Sequence, residues 1–310
     1  MGELIRHYQL NDFDAVIDLW NQSLSRDCIL PDTFQIKVLA DSNFDPAGCL
    51  VAERDSQVVG FILGIIRKVP LENIGLQEEL GWITVFFVDQ RYRRQGIGQQ
   101  LLNGVLEYFK KNKRKQVYVA SYVPNYFFPG VDVEKYGEAV RFLQKNGFQE
   151  KMRVLGMGNQ LQDMVTPEKA RKKLNQLQER GIEIKGFEKK YTYELLSFLR
   201  REFPGDWAGN IVEKIKAGTG DQIVIAVKDQ QVLGYCQFEG PHFGPFGVSE
   251  KLRGEGVGSL LFWYVVEMMK KRGYHFIWLA WTGGEAARFY REKGNLAQTR
   301  ESSIMTKTLE

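Results

Sequence analysis

One glycine-punctuated motif occurs twice in this chain, at a spacing of one domain. Residues 88 to 98 read Val88-Asp89-Gln90-Arg91-Tyr92-Arg93-Arg94-Gln95-Gly96-Ile97-Gly98. Residues 248 to 258 read Val248-Ser249-Glu250-Lys251-Leu252-Arg253-Gly254-Glu255-Gly256-Val257-Gly258. A valine, an arginine and both glycines recur in register, and Val88 and Val248 lie 160 residues apart. A single long period means two copies of one folding unit. The 310 residues are enough for two domains of ordinary size.

The surroundings repeat as well. Two strand-like runs precede each motif: Cys49–Ala52 and Val58–Ile62 in the first half, Ile223–Val227 and Val232–Tyr235 in the second. Short polar turns join them, so both pairs predict β-hairpins. Helical patterns lie further upstream, at Asp14 to Asn21 and at Tyr193 to Arg201. After each motif an amphipathic helix begins at once, with Ile97, Leu101, Leu102, Val105, Leu106 and Phe109 on one face, and Val257, Leu260, Leu261, Val265 and Met268 on its counterpart. A strand follows (Gln116 to Ser121; Phe276 to Trp281), then a short helix containing Ala139-Val140-Arg141-Phe142-Leu143 or Ala286-Ala287-Arg288-Phe289-Tyr290. Arg141 and Arg288 are only 147 residues apart. The first half therefore carries extra residues within Val123 to Gly137. Each half closes with a strand-like tail.

The expected architecture is α/β with a mixed sheet (α+β in its connectivity), built as two tandem units: 1–160, a linker helix region 161–182, and 183–310. Thr166-Pro167-Glu168 opens the linker helix with a cap and a first-turn proline, and Gly181 stops it. Its basic cluster, Lys169, Arg171, Lys172 and Lys173, reads as a solvated face. The helix at Phe262-Trp263-Tyr264-Val265-Val266 is apolar all round, so it is expected to be buried on every side, partly against the first domain.

The order strand, Arg-x-x-Gly-x-Gly turn, helix sets backbone N–H groups at a helix start, where unpaired donors and the helix dipole favour phosphate. Glycines let the chain approach a pyrophosphate closely, and Arg93 or Arg253 adds a fixed cation. A P-loop would need Gly-Lys-Ser/Thr, which neither copy has. A dinucleotide fingerprint would need a third glycine where Leu101 and Leu261 stand.

Val-x4-Arg-x-x-Gly-x-Gly at a strand end, followed by a helix with an early Leu-Leu, resembles the acetyl-CoA loop of the GNAT acetyltransferases. Ala139-x-x-Phe142-Leu143-x-x-x-Gly147-Phe148 is similar to that family's Ala-x-x-Phe-Tyr-x-x-x-Gly-Phe segment, and Ala287 to Gly294 resembles it too, with Asn295 in place of the aromatic. The resemblance covers nearly the whole chain, twice. It implies two tandem GNAT folds. Each has a sheet splayed beside its fourth strand, Trp82 to Val88 and His242 to Val248. In the first half it implies coenzyme contacts at Phe86, Phe87, Val88, Arg93, Arg94, Gln95, Gly96, Ile97 and Gly98. In the second it implies them at Phe246, Val248, Arg253, Gly254, Glu255, Gly256, Val257 and Gly258. Main-chain N–H groups would polarise the thioester carbonyl, an amine would attack directly, and no metal is required. Tyr290 stands where the family places its acid, and Leu143 stands there in the first half. Tyr122, Tyr126 and Tyr136 are the available replacements. His242 is the candidate base, with Glu239 as competitor, and Glu78 and Glu79 are the carboxylates available to the first half. His7 and His275 look like strand-end residues. The insertion Pro124 to Asp132 reads equally as a substrate lip, with Asp132 meeting a cationic acceptor, or as a loop covering the other domain's apolar surface.

The expected activity is acetyl-CoA-dependent acetylation of a primary amine on a small molecule or peptide. The other readings are a non-catalytic acetyl-CoA sensor or partner-binding protein, and transfer of another acyl group. A net charge of +4 without a basic block suits an anionic ligand and does not argue for nucleic acid. The three cysteines, Cys28, Cys49 and Cys236, are scattered and form neither a disulfide framework nor a zinc pattern. With no signal-like opening and no bilayer-length apolar run, the expectation is a cytoplasmic protein, monomeric with packed domains, without membrane or nucleic-acid partners.

Overall fold

A computed structural model describes residues 4–203 and 205–310. The first half runs β1 (Leu4–His7), α1 (Phe13–Ser23), α2 (Pro31–Phe34), β2 (Cys49–Arg54), β3 (Gln57–Ile65) and β4 (Leu80–Val88). It continues with α3 (Ile97–Lys111), β5 (Gln116–Val119), β6 (Val131–Asp132), α4 (Gly137–Lys145) and β7 (Gln149–Gln160). Then come α5 (Glu168–Glu179), β8 (Glu183–Gly186), α6 (Thr192–Glu202), α7 (Trp207–Lys216), β9 (Ile223–Lys228) and β10 (Gln231–Glu239). The chain ends with β11 (His242–Val248), α8 (Val257–Lys271), β12 (Phe276–Thr282), α9 (Gly284–Gly294) and β13 (Ala297–Thr308). Both hairpins form where the sequence placed them. Their two-residue turns, Asp55-Ser56 and Asp229-Gln230, have positive φ at both residues, as the right-handed twist of paired strands favours.

The compact units differ from contiguous halves. One comprises the residues up to Pro70, Gly75–Val154 and Glu301–Glu310, and the other Leu71–Ile74 and Leu155–Arg300. The boundaries cut both long tails, so residues 155–160 of β7 close the second unit and residues 301–308 of β13 close the first. In the first unit, β1 to β4 are antiparallel neighbours, β5 joins β4 in parallel, and Met305–Thr308 of β13 pair with Val119–Gln116. In the second, β8 to β11 are antiparallel, β12 joins β11 in parallel, and Leu155–Gln160 of β7 pair with β12. Local pattern can predict a strand-like tail, but either sheet edge offers the same backbone groups to it. The partner is settled only in the folded chain.

Each sheet is covered on both faces. In the first unit α3 packs Leu101, Leu102, Val105 and Phe109 on one side, while Val16, Trp20 and Phe34 of α1 and α2 meet Phe61 and Phe87 on the other. In the second, α8 and α9 take the first role, and Leu195, Phe198, Leu199 and Ile211 of α6 and α7 the second. The all-round apolar helix α8 buries Phe262, Trp263, Val265 and Val266. Its additional apolar face, expected to meet the first domain, is covered by the linker helix of its own unit: Ala170 and Leu177 of α5 join Leu260 and Trp263 in one core. No helix among the described residues is long and apolar enough to cross a membrane.

Candidate functional site

In the first unit β4 and β5 pair through Leu80–Ile83 opposite Gln116–Val119, and the parallel ladder ends there. Thr84 is an extra residue in β4, since Leu63 faces Val85 while Gly64 faces Ile83. A bulge of this kind bends its strand, and β4 parts from β5 beyond it. The Asp89 N–H donates to Val59 O at 2.9 Å. Antiparallel alternation then turns the N–H groups of Val85 and Phe87 towards β3, and those of Phe86 and Val88 towards the gap. The Arg93 Nε donates to Val88 O at 3.1 Å, which holds that guanidinium at the mouth of the gap.

The turn below the gap is open and basic. Gly96 has φ +93, and a Cβ built there would meet only the Gln100 side chain, at 4.0 Å. It is the N-cap of α3, so the N–H groups of Ile97 and Gly98 begin the helix with no earlier turn to bond to. Gly98 is required for a different reason: a Cβ would approach Phe86 to 3.3 Å and Phe142 to 3.8 Å. The Arg91 side chain pairs with Asp89 at 2.7 Å, Arg94 with Glu138 at 3.0 Å, and Arg54 reaches Gln95 at 2.5 Å. Arg54 was not among the residues expected at this site. It comes from the end of β2, which the motif itself cannot indicate.

The second unit repeats the plan with departures. Its parallel ladder is reduced to His242 opposite Trp278, so the gap is wider along the strand. Gly244 and Pro245 together face Gln237, between the Cys236–Phe246 and Phe238–Phe243 pairs, and proline contributes no N–H. The Ser249 N–H donates to Leu233 O at 2.9 Å, which leaves the Phe246 and Val248 N–H groups facing the gap. At the turn Gly254 and Gly256 have φ of +81 and +85. The Lys173 stem of α5 lies 3.1 Å from where a Gly256 Cβ would stand. Glu255 pairs with Arg180, the C-cap of α5, at 2.6 Å, and Arg253 with Glu250 at 3.2 Å. Val257 is fully buried and Gly258 sits against Phe246.

The catalytic candidates divide between the units. Tyr290 is 8% exposed and lies among Phe243, Phe246, Phe262 and Phe289, with centroids 5.4–6.3 Å away. Burial drives its phenol well above the ordinary range, so it stays protonated and able to donate. The His242 ring lies 4.5 Å from Trp278, where β11 and β12 part. Glu239, opposite His242 on β10, is tied to the buried Lys214 at 3.3 Å. Over the next stretch of β11 the ring of Phe203 fills the space above Gly247, and it stacks on Trp207 at 4.6 Å. Beneath them Tyr235 is fully buried, and its hydroxyl has no hydrogen-bond partner among the described residues.

In the first unit Leu143 is core, and Glu78 and Glu79 sit at an exposed strand start where Glu79 pairs with Lys115 at 2.6 Å. The tyrosines of the insertion are engaged on the α1–α2 face. The Tyr136 hydroxyl donates to Asp27 at 2.9 Å, and the Tyr126 carbonyl accepts from Lys37. The Tyr122 hydroxyl donates to Asp41 at 3.1 Å and accepts from Asn43 at 2.7 Å. Asp132 accepts from Arg26 at 3.0 Å and from the N–H groups of Glu134 and Lys135, so its carboxylate already has fixed partners within the unit. Phe127 packs on Trp20 at 4.7 Å. The insertion is a cover on its own unit. Sequence reading missed the buried Arg67, whose guanidinium lies about 5 Å from both the Trp82 and Tyr122 rings. Tyr122→Phe takes the acceptor from the Asn43 amide and one of three donors from Asp41, and is expected to cost about 1–3 kcal/mol, read as a lowered midpoint with unchanged slope in urea unfolding.

Comparison with known proteins agrees with this layout. The profile of the "Acetyltransferase (GNAT) family" matches residues 13–127 and 192–294. The fold is shared with a "GCN5-related N-Acetyltransferase from Sphaerobacter thermophilus", at 17% identity and TM-score 0.72, covering 99% of this chain and 95% of that one. A "Tandem GNAT protein from the clavulanic acid biosynthesis pathway" aligns at 14% identity and TM-score 0.66, over 99% and 98% of the two chains. A fungal protein described as carrying a "GCN5-related glucosamine N-acetyltransferase region" within a multi-domain β-N-acetylglucosaminidase gives TM-score 0.82 at 20% identity. It covers 98% of this chain, which spans only 38% of that protein's length. No curated protein matches the chain.

Proposed function

The chain belongs to the acetyltransferase (GNAT) family, and from that premise we propose that it is an acetyl-CoA-dependent N-acetyltransferase whose first unit holds the coenzyme. The observation that carries this reading is the first unit's gap, where the inward-facing N–H groups of Phe86 and Val88 stand above an uncovered arginine-rich turn. Asp89 to Gly98 carry three arginines against one aspartate, whereas in Ser249 to Gly258 two cations are balanced by two glutamates. A pyrophosphate gains more from the first turn.

The pantetheine arm lies along Phe86–Val88, with the thioester carbonyl accepting from a main-chain N–H of that strand. The acceptor amine, deprotonated, adds to the carbonyl carbon. A C–N bond forms, the C–S bond breaks, and the coenzyme thiolate takes a proton from an acid or from water. The acceptor is a primary amine on a small molecule or peptide. The amino group of an amino sugar belongs in the first panel tested, given the wording attached to the fungal relative.

A second reading, favoured by Tyr290, makes the second unit the transferase, with Tyr290 as acid and His242 as base. One experiment separates them: release of free coenzyme thiol from acetyl-CoA, followed against a panel of amines. Amine-dependent release is expected, and Tyr290→Phe should leave its rate within about twofold, because the phenol serves the other unit. A loss of tenfold or more in kcat moves the chemistry to the second unit. Acetyl-CoA binding without thiol release under any amine overturns the enzyme reading in favour of a sensor, and release only from longer acyl-CoAs changes the donor.

A further inference from the structure

Helix α5 lies outside both stretches that match the family profile, yet it forms one wall of an open cavity in the second unit. The walls are Ala170 and Leu174 of α5, Ile184 of β8, and Leu260, Trp263 and Met268 of α8, around about 270 Å³. These side chains are apolar but for the Trp263 indole N–H, and Thr166 and Tyr264 complete the lining. Arg171 and Lys271, both exposed, stand at its rim with Glu267, and Glu267 already accepts from the Thr166 hydroxyl at 2.6 Å.

We infer that this cavity binds a straight-chain aliphatic carboxylate, its chain lying among Leu174, Leu260, Trp263 and Met268 and its headgroup between Arg171 and Lys271. The walls are mainly apolar, so a sugar ring or an amide placed among them would lose most of its water partners unreplaced. An unbranched chain loses nothing, and the two rim cations outnumber the one rim carboxylate. The site is separate from the glycine turn: Leu260, Trp263, Glu267 and Lys271 follow one face of α8 from its first turn to its last, away from Gly256. Lys173, which covers Gly256, is the sequence neighbour of Leu174 on α5. The inference does not depend on which unit transfers the acyl group, or on transfer at all.

Decanoate, kept below its micellar concentration, is the probe, titrated into the full chain by calorimetry and by tryptophan fluorescence, since Trp263 lines the cavity. One equivalent is expected to bind, at least about tenfold tighter than decyltrimethylammonium, because the rim is cationic. The double variant Arg171→Glu, Lys271→Glu changes only exposed positions, and should weaken decanoate by a similar factor with the melting curve unchanged. Leu174→Trp should abolish binding by filling the cavity. Absence of saturable binding, equal affinity for the carboxylate and the ammonium, or binding indifferent to the charge reversal would each overturn the proposal. So would a dimer that dissociates in the same variants, which would assign this face to a second copy of the chain.

Discussion

Gly96→Trp is expected to weaken acetyl-CoA binding by at least about 100-fold, the equivalent of about 2.7 kcal/mol, while Gly256→Trp leaves it within about threefold. Gly96 has φ +93 and open space around it. An indole there finds room, and that room is where a pyrophosphate would reach the first N–H groups of α3. The left-handed backbone costs a bulky residue about 1–2 kcal/mol, so the variant should melt a few degrees lower and still fold. Gly256 has a similar φ of +85 and carries a similar strain, but Lys173 already covers it. The pair of variants therefore matches backbone cost and differs in what is blocked. Calorimetric titration reads both. If Gly256→Trp abolishes binding and Gly96→Trp does not, the coenzyme belongs to the second unit, and Tyr290 becomes the acid to test.

The copies diverge along the fourth strand and at the glycine turn. Val85, whose N–H faces β3, is matched by Pro245, which has none. Gln95, neutral, is matched by Glu255, held by Arg180. Phe87, packed against Trp20 and Phe61, is matched by Gly247, where Phe203 arrives from α6's end to fill the same kind of space. The core rule is kept in both copies, by an intrachain aromatic in one and a loop aromatic in the other. On the proposed reading, the first turn keeps the features that suit a phosphate more fully than the second.

Much of this was legible in the sequence because it depends on local spacing. The two Arg-x-x-Gly-x-Gly turns, the hairpins with paired polar residues and the amphipathic helices each follow from a short window, and they form where that window places them. What was not legible depends on partners far away in the chain. The apolar surface of α8 required a cover, but nothing in Phe262-Trp263-Tyr264-Val265-Val266 distinguishes α5 from any other apolar face. Arg54 and Arg67 stand in strands or strand ends whose own patterns concern pairing. Asp132, read as a possible contact for a cationic acceptor, is taken by Arg26, more than a hundred residues away in sequence. The closing strands show the limit most clearly. Gln149–Gln160 and Ala297–Thr308 are both tails at the end of a repeat, and the later part of each, 155–160 and 301–308, serves a different unit from the one its position suggests.

That exchange has a large and directional consequence. Met305 is fully buried and pairs with Val119, the last residue of β5 before the first gap. It belongs to the same core as Leu101, Val117 and Phe148. Met305→Asp buries a carboxylate among apolar side chains, at a cost of several kcal/mol, a large part of the ~5–15 kcal/mol that stabilises a typical domain. The damage is expected in the first unit, although the substitution lies five residues from the C-terminus. Hydrogen exchange should rise across residues 49–148 with 223–296 still protected, and acetyl-CoA binding should be lost even though the turn at 89–98 is untouched. Met157→Asp supplies the mirror image. Met157 is also fully buried, and it pairs with Leu279, so this variant should expose the second unit and leave coenzyme binding in place. Contiguous halves would produce the opposite pattern in both variants, with Met305→Asp opening residues 223–296 and Met157→Asp abolishing binding. On the proposed assignment of the coenzyme to the first unit, acetyl-CoA affinity is expected to depend on residues 301–308 of β13.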